Sequence, residues 1–190
     1  MTNNLEDYTY KKMPNYLYEQ IKEKVFTVFN EYKINTLPID CKKLAQSMGY
    51  KLVKYSDLSA DSLITQQSNE GCSSIYAMND QVIKKIYYND SQVIGRQRYT
   101  IMHEIAHGVY DHKEESDLAD DIANFFARYS LVPIPLIHKL KIDNVEDIVE
   151  TFNVSHALAE NCLKDYYNWL EYGQPTLLPY ESKLLELFGF

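Results

Sequence analysis

Residues 91–112, SQVIGRQRYTIMHEIAHGVYDH, hold the pattern His103-Glu104-Ile105-Ala106-His107. Ile94, Ile101, Ile105 and Val109 recur at seven- and four-residue steps, and Met102 and Ala106 add a second apolar row, so the stretch reads as an amphipathic helix. Ser91 is the expected N-cap. Residues four apart on a helix share a face, so the His103 and His107 imidazoles can reach one ion. Glu104 lies beside that face and can touch a water on the ion without being a ligand. This is the arrangement a metalloprotease needs, with two histidine ligands for zinc and a carboxylate general base. Two histidines and a glutamate on an otherwise apolar helix are costly to bury without such a role.

A third protein ligand leaves one position of a tetrahedral ion open to water. The next segment, Asp117-Leu-Ala-Asp120-Asp121-Ile-Ala-Asn124, supplies candidates. Asp120 and Asn124 share a helical face, so Asp120 can bind the ion while Asn124 hydrogen-bonds a ligating histidine. Asp121, Asp117 and Glu115 are the alternative ligands. Some of these carboxylates serve only as an acidic first turn that complements the helix dipole.

Two stretches, Arg96-x-Arg98-Tyr-Thr-Ile-Met-His-Glu-Ile-Ala-His and Ala123-Asn124-x-Phe126-Ala127-x-x-x-Leu131-Val132-Pro133, resemble the ImmA/IrrE family of metallo-endopeptidases. That family shows Arg-x-Arg-Phe-Thr-x-x-His-Glu-x-x-His, then Glu-x-x-Ala-Asn-x-Phe-Ala and a Leu-Met-Pro ending. The resemblance covers residues 96–107 and 120–133, with looser similarity over most of the chain. It implies a zincin-like fold, a zinc (Zn2+) cofactor and a narrow protein substrate. That substrate is a helix-turn-helix transcriptional repressor, often encoded beside the protease on a mobile element or phage. Two departures stand out. The family's third ligand is usually glutamate, where this chain has the shorter Asp120. The gap from His107 to Asp120 is also brief, leaving a short loop around His112 and Lys113.

In this reading Glu104 takes a proton from the attacking water and later gives it to the leaving amine. A second electrophile beside zinc must face the developing oxyanion. Tyr76, Tyr87, Tyr88, Arg96, Arg98 and His138 remain open for that role. The two arginines are also expected to pair with acidic residues.

Composition sets the frame. A chain of 190 residues suffices for one compact domain or one domain with a small appendage. A net charge of −8 argues against a general DNA-binding surface. Cys41, Cys72 and Cys162 are an odd, widely spaced set that suits a reducing cytosol. Cys72 lies in a loop-like stretch and is taken as an ordinary loop cysteine. The opening MTNNLEDYTYKK has no apolar h-region, and no stretch approaches a membrane span, so a cytoplasmic location is expected.

The remaining segments place coarsely. Residues 14–33 read as an amphipathic helix with Leu17, Ile21, Val25, Val28, Phe29 and Tyr32 on one side. Residues 38–49 read as a short helix ended by Gly49, and Tyr50–Tyr55 as a strand. Residues 73–78 and 82–88 suggest a hairpin turning at Asn79-Asp80-Gln81, and in related peptidases such an edge strand pairs with substrate. The sum is an α+β peptidase domain, residues 1–140, with a small sheet and a helix carrying the His-Glu-x-x-His pattern. Residues 141–190 are expected to form a helical subdomain and docked tail.

Within that subdomain Asp143–Glu150 and Ser155–Leu170 have helix-turn-helix spacing around Ile148, Phe152, Val154 and Leu158. The second helix offers only His156 and Lys164 as basic candidates against Glu160, Asp165 and Glu171. A groove-reading helix presents Arg, Lys, Asn or Gln, so a packing role and no nucleic-acid partner are expected. His138 and His156 read as ordinary polar positions. Leu184, Leu185, Leu187 and Phe188 would leave a free tail prone to aggregation, so the tail is expected to pack. Two function classes follow. One is a zinc endopeptidase that cleaves a repressor; the alternative is a non-proteolytic regulatory binding protein on the peptidase fold. Only the first needs Glu104.

Overall fold

The computed structural model describes residues 13–59, 77–80 (backbone only), 84–112, 116–172 and 177–190. The fold is α+β and mostly helical. Helix α1 (Asn15–Tyr32) and the short α2 (Cys41–Ser47) precede strand β1 (Lys51–Lys54) and a 3-10 turn at Tyr55–Asp57. Strands β2 (Ala77–Asp80) and β3 (Lys85–Tyr88) follow. Next come α3 (Ile94–Val109), α4 (Asp117–Leu131), α5 (Ile134–Leu140), α6 (Val145–Phe152), α7 (His156–Tyr172) and α8 (Pro179–Leu187).

The sheet order is β1-β3-β2. The middle strand pairs parallel with β1, Lys51 opposite Lys85, and antiparallel with β2, Ala77 opposite Tyr88. Ile86 and Tyr88 alternate inward from β3 and anchor the sheet on the core. Of the residues expected to turn at Asn79-Asp80-Gln81, the first two lie in β2, and Gln81 lies outside the described residues. Asn79 and Asp80 are still paired, with Ile86 and Lys85.

The local chemistry explains the helix ends. Asp40 caps α2 by accepting from Lys43 N at 2.9 Å, and Gly49 follows it at φ +85°, a left-handed conformation glycine adopts without a steric cost. The His-bearing helix starts later than expected. Its N-cap is Val93 rather than Ser91, because the Ser91 hydroxyl is turned to Asn89 Oδ1 at 2.6 Å. Ile94, counted among the apolar face, is accordingly exposed. Ser116 caps α4 through Ala119 N at 3.2 Å, and Ser155 caps α7 through Leu158 N at 3.3 Å. Asn144 caps α6, which runs to Phe152, two residues beyond Glu150.

One hydrophobic cluster runs through the molecule. Phe29 of α1, Leu44 of α2, Ile86 of β3, Ile101 and Ile105 of α3, and Phe126 of α4 join it. Leu136 of α5, Phe152 of α6 and Leu184 of α8 belong to the same cluster, so the tail helix packs as its apolar residues require. Helix α3 is wedged between α2, β2, β3 and α4. Its two glycines mark close approaches. A Cβ at Gly95 would lie 2.9 Å from Ser155 N in the α6–α7 turn, and one at Gly108 would run into the Tyr50 hydroxyl. Arg98 reaches the same turn and donates to the Phe152 carbonyl at 3.2 Å, a backbone partner in place of the acidic one expected. Among the described residues, no helix is long and apolar enough to cross a membrane.

Candidate metal centre

The second half of α3 meets the start of α4, and this junction gathers three ligand-bearing side chains. His103, His107 and Asp120 place one ligand atom each within 4.8 Å of one another. His103 Nε2 and His107 Nε2 stand 3.0 Å apart, and His107 Nε2 lies 3.5 Å from Asp120 Oδ1. A tetrahedral ion with nitrogens at about 2.0–2.1 Å would hold its ligand atoms about 3.3 Å apart. The two shorter separations bracket that value, so the residues fit a tetrahedral metal. The donor set, two imidazoles and one carboxylate, suits the same ion. Asp121 is not part of this group, and Glu115 lies outside the described residues.

The helix register produces the arrangement. His103 and His107 are one turn apart, and the apolar residues beside them, Ile101, Met102, Ile105 and Ala106, are fully buried and lock the helix. Asp120 sits in the first turn of α4, where its charge complements the helix dipole and its side chain stays 58 % exposed.

Glu104 is 9 % exposed. Burial, with the nearby Asp120 charge second, pushes its carboxyl up to about 8. His103 is pushed down to about 4, first by burial and then by its proximity to His107, so its ring is neutral and ready to ligate near pH 7. Asn124 stands beside His103 and pulls the other way, favouring the charged ring. The Asn124 Oδ1 atom itself accepts from the Tyr99 hydroxyl at 3.0 Å, while the buried His103 Nδ1 finds no hydrogen-bond partner among the described residues.

Two further residues join the site without having been expected there. His112 brings its Nδ1 to 3.0 Å from His107 Nδ1, and burial lowers its pKa. Its recruitment depends on Asp111 at φ 50°, a left-handed turn that aspartate tolerates better than most residues. An Asp at the position after a helix end is the sequence signal that such a fold-back was available. Tyr55 is the second. Its phenol is raised to about 12 by burial and, next, by the charge of Glu104, which places the two groups in one electrostatic neighbourhood. Nothing in the strand pattern at Tyr55 announces this.

The other expected candidates are engaged elsewhere. His138 Nδ1 is 3.1 Å from the Tyr166 hydroxyl and packs on Trp169. Lys42 lies over the Tyr88 ring and Lys85 over Tyr87. Arg96 faces the Tyr99 ring, and Arg98 is committed to the Phe152 carbonyl. Tyr76 and Cys72 lie outside the described residues.

Residues 57–164 match the family described as Peptidase_M78, IrrE N-terminal-like domain. The match spans more than half of the chain and contains α3 and α4 with the whole three-residue group. No curated protein matches the chain. The chain belongs to the IrrE N-terminal-like peptidase family, the family its two motif stretches resemble.

Proposed function

We propose that this peptidase-family member is a zinc-dependent endopeptidase that cuts a helix-turn-helix transcriptional repressor and so relieves repression. The observation that carries the reading is the convergence of His103, His107 and Asp120 beside the buried Glu104. His103 Nε2, His107 Nε2 and an Asp120 oxygen would hold the zinc. Bound there, zinc would supply Lewis-acid chemistry, activating a water and polarising the scissile carbonyl. Glu104 accepts a proton from the attacking water at its carboxylate and passes it to the departing amine nitrogen. Burial and, second, the Asp120 charge push the Glu104 carboxyl up to about 8, and a cation beside it would favour the carboxylate that a base requires. Asn124 stands beside His103 and would orient it by turning its amide from Tyr99 to the ring.

Substrate binding follows from the sheet. Among the described residues, β2 is at an edge of the β1-β3-β2 order and packs against α3. An extended substrate segment can add to that edge through main-chain hydrogen bonds. In this reading residues 1–140 form a zincin-like catalytic unit, and residues 141–190 a helix-turn-helix-like packing unit with a docked tail. The protein works in the cytoplasm on a regulatory circuit of a mobile element, phage or stress response. No nucleic acid enters the proposal.

The test combines metal content by native mass spectrometry with cleavage of the repressor encoded beside the gene. Wild type should carry about one zinc per chain, and His107→Ala and Asp120→Ala should lose it. Glu104→Gln should keep zinc and repressor binding but lose cleavage. Full relief of repression by Glu104→Gln would leave the non-proteolytic binding protein as the correct class. A wild type that takes up no added zinc would sink the peptidase mechanism.

A further inference from the structure

We propose that His112 is a positioning residue of the metal centre. Its Nδ1 accepts the Nδ1–H of His107, fixing His107 in the tautomer whose Nε2 lone pair faces the ion. The inference deepens the zinc reading above and rests on it.

The two nitrogens of His107 face different neighbours. Nε2 looks toward His103 Nε2 and Asp120 Oδ1, at 3.0 and 3.5 Å. Nδ1 looks toward His112 Nδ1, at 3.0 Å. His112 therefore meets the edge of the ring turned away from the three-ligand group, and its role is support rather than ligation. A neutral imidazole carries one N–H, so a hydrogen bond donated from Nδ1 leaves the lone pair on Nε2. The opposite tautomer would aim a proton at the ion's position. Ligating histidines ordinarily donate the second ring nitrogen to a carboxylate, a carbonyl or water, and such partners orient the ring and raise its basicity. Here an imidazole fills that place.

The fold builds the contact on purpose-made backbone. Helix α3 ends in a Schellman motif: His112 N donates to the His107 carbonyl at 3.0 Å, and Asp111 N to Gly108 at 3.4 Å. The left-handed Asp111 turns the chain back over the last helical turn. His107 thus meets His112 twice, through its carbonyl and through its ring. The Tyr110 ring stacks on His112, with centroids 5.5 Å apart and planes 18° apart, and holds the plane of the accepting imidazole.

The experiment uses the full chain stripped of metal. Zinc affinity is measured by competition with a chromophoric chelator for wild type, His112→Phe and His112→Asn. Phenylalanine keeps a ring for Tyr110 to stack on and removes the acceptor; asparagine returns an acceptor oxygen. His112→Phe should bind zinc about 10–100-fold more weakly, the usual cost of losing such a partner. Its metal-free Tm should match wild type, and His112→Asn should regain most of the affinity. In zinc-loaded wild type, nitrogen-edited NMR should find a slowly exchanging proton on His107 Nδ1 coupled to a second imidazole nitrogen. Equal affinity in wild type and His112→Phe would overturn the proposal and leave the zinc site standing. So would weakening that His112→Asn does not repair and that a lower metal-free Tm accompanies. The NMR signal is read on wild type, so its absence overturns the proposal even if a variant does not fold. Wild type that binds no zinc removes the site itself, a result distinct from the others.

Discussion

Among the described residues two glutamates, Glu104 and Glu181, are buried on very different terms. Glu181 is 2 % exposed, yet both of its oxygens are used. Oε1 accepts from Trp169 Nε1 at 3.2 Å, and Oε2 accepts from Leu178 N at 2.8 Å, so the residue caps α8 and ties it to α7. Glu104 is 9 % exposed, and among the described residues no hydrogen bond reaches its carboxyl. Burial drives its pKa up to about 8. A buried polar group left without a hydrogen bond costs about 1–3 kcal/mol. Glu181 ties two helices together, whereas Glu104 is buried beside the His103, His107 and Asp120 group with its carboxyl pushed up by burial.

The largest expected effect tests that division at Glu104. Glu104→Gln should slow repressor cleavage by about 10²–10⁴-fold, the range for a lost general base, while repressor binding is retained. A rate within threefold of wild type would erase the contrast. At the other glutamate, Glu181→Ala should lower unfolding stability by about 1–3 kcal/mol in a denaturant titration, because it strands the Trp169 N–H and the Leu178 N–H. Zinc affinity should not change, and a change there would mean that the two regions are coupled.

Packing around α3 offers a finer test. Gly108→Ala drives a methyl into the Tyr50 hydroxyl and should cost about 1–3 kcal/mol by overpacking. Tyr50→Phe in the same chain should return most of that loss, and failure of the rescue would assign the cost to backbone strain. The smallest effect returns to Glu104. Metal-free Glu104→Gln should show no loss of Tm by calorimetry, since no partner among the described residues is removed. A clear drop would show that Glu104 has a structural bond after all.

Much of the site was legible in the chain. The His103–His107 spacing and the apolar rows around it required one helix with both rings on a face, and the structure has that helix. The four-residue spacing of Asp120 and Asn124 put both on one helical face for the same reason, and the structure has that helix, begun at Ser116. The docked tail followed from Leu184 and Leu185, whose exposure would be costly. What was missed has a common cause. Val93 replaces Ser91 as N-cap because the Ser91 hydroxyl bonds to Asn89, a local competition that helical periodicity does not report. Asn79 and Asp80 are strand residues because pairing with β3 outweighs their turn preference. Tyr55 comes near Glu104 from a strand end far away in sequence, and no local pattern encodes that.

By itself the sequence determined the groups on offer: two imidazoles and a carboxylate at helical spacing, because the period of a helix is a property of the local chain. It also determined that α3 must be buried, through Ile101, Met102 and Ile105. Only the tertiary structure decided which acid meets the histidines, that His112 folds back onto His107, and that Arg98 serves the Phe152 carbonyl rather than an acid. These are meetings between separate segments. Their partners are selected by the packing of the whole core and by one left-handed residue at Asp111, neither of which a spacing along the chain can specify.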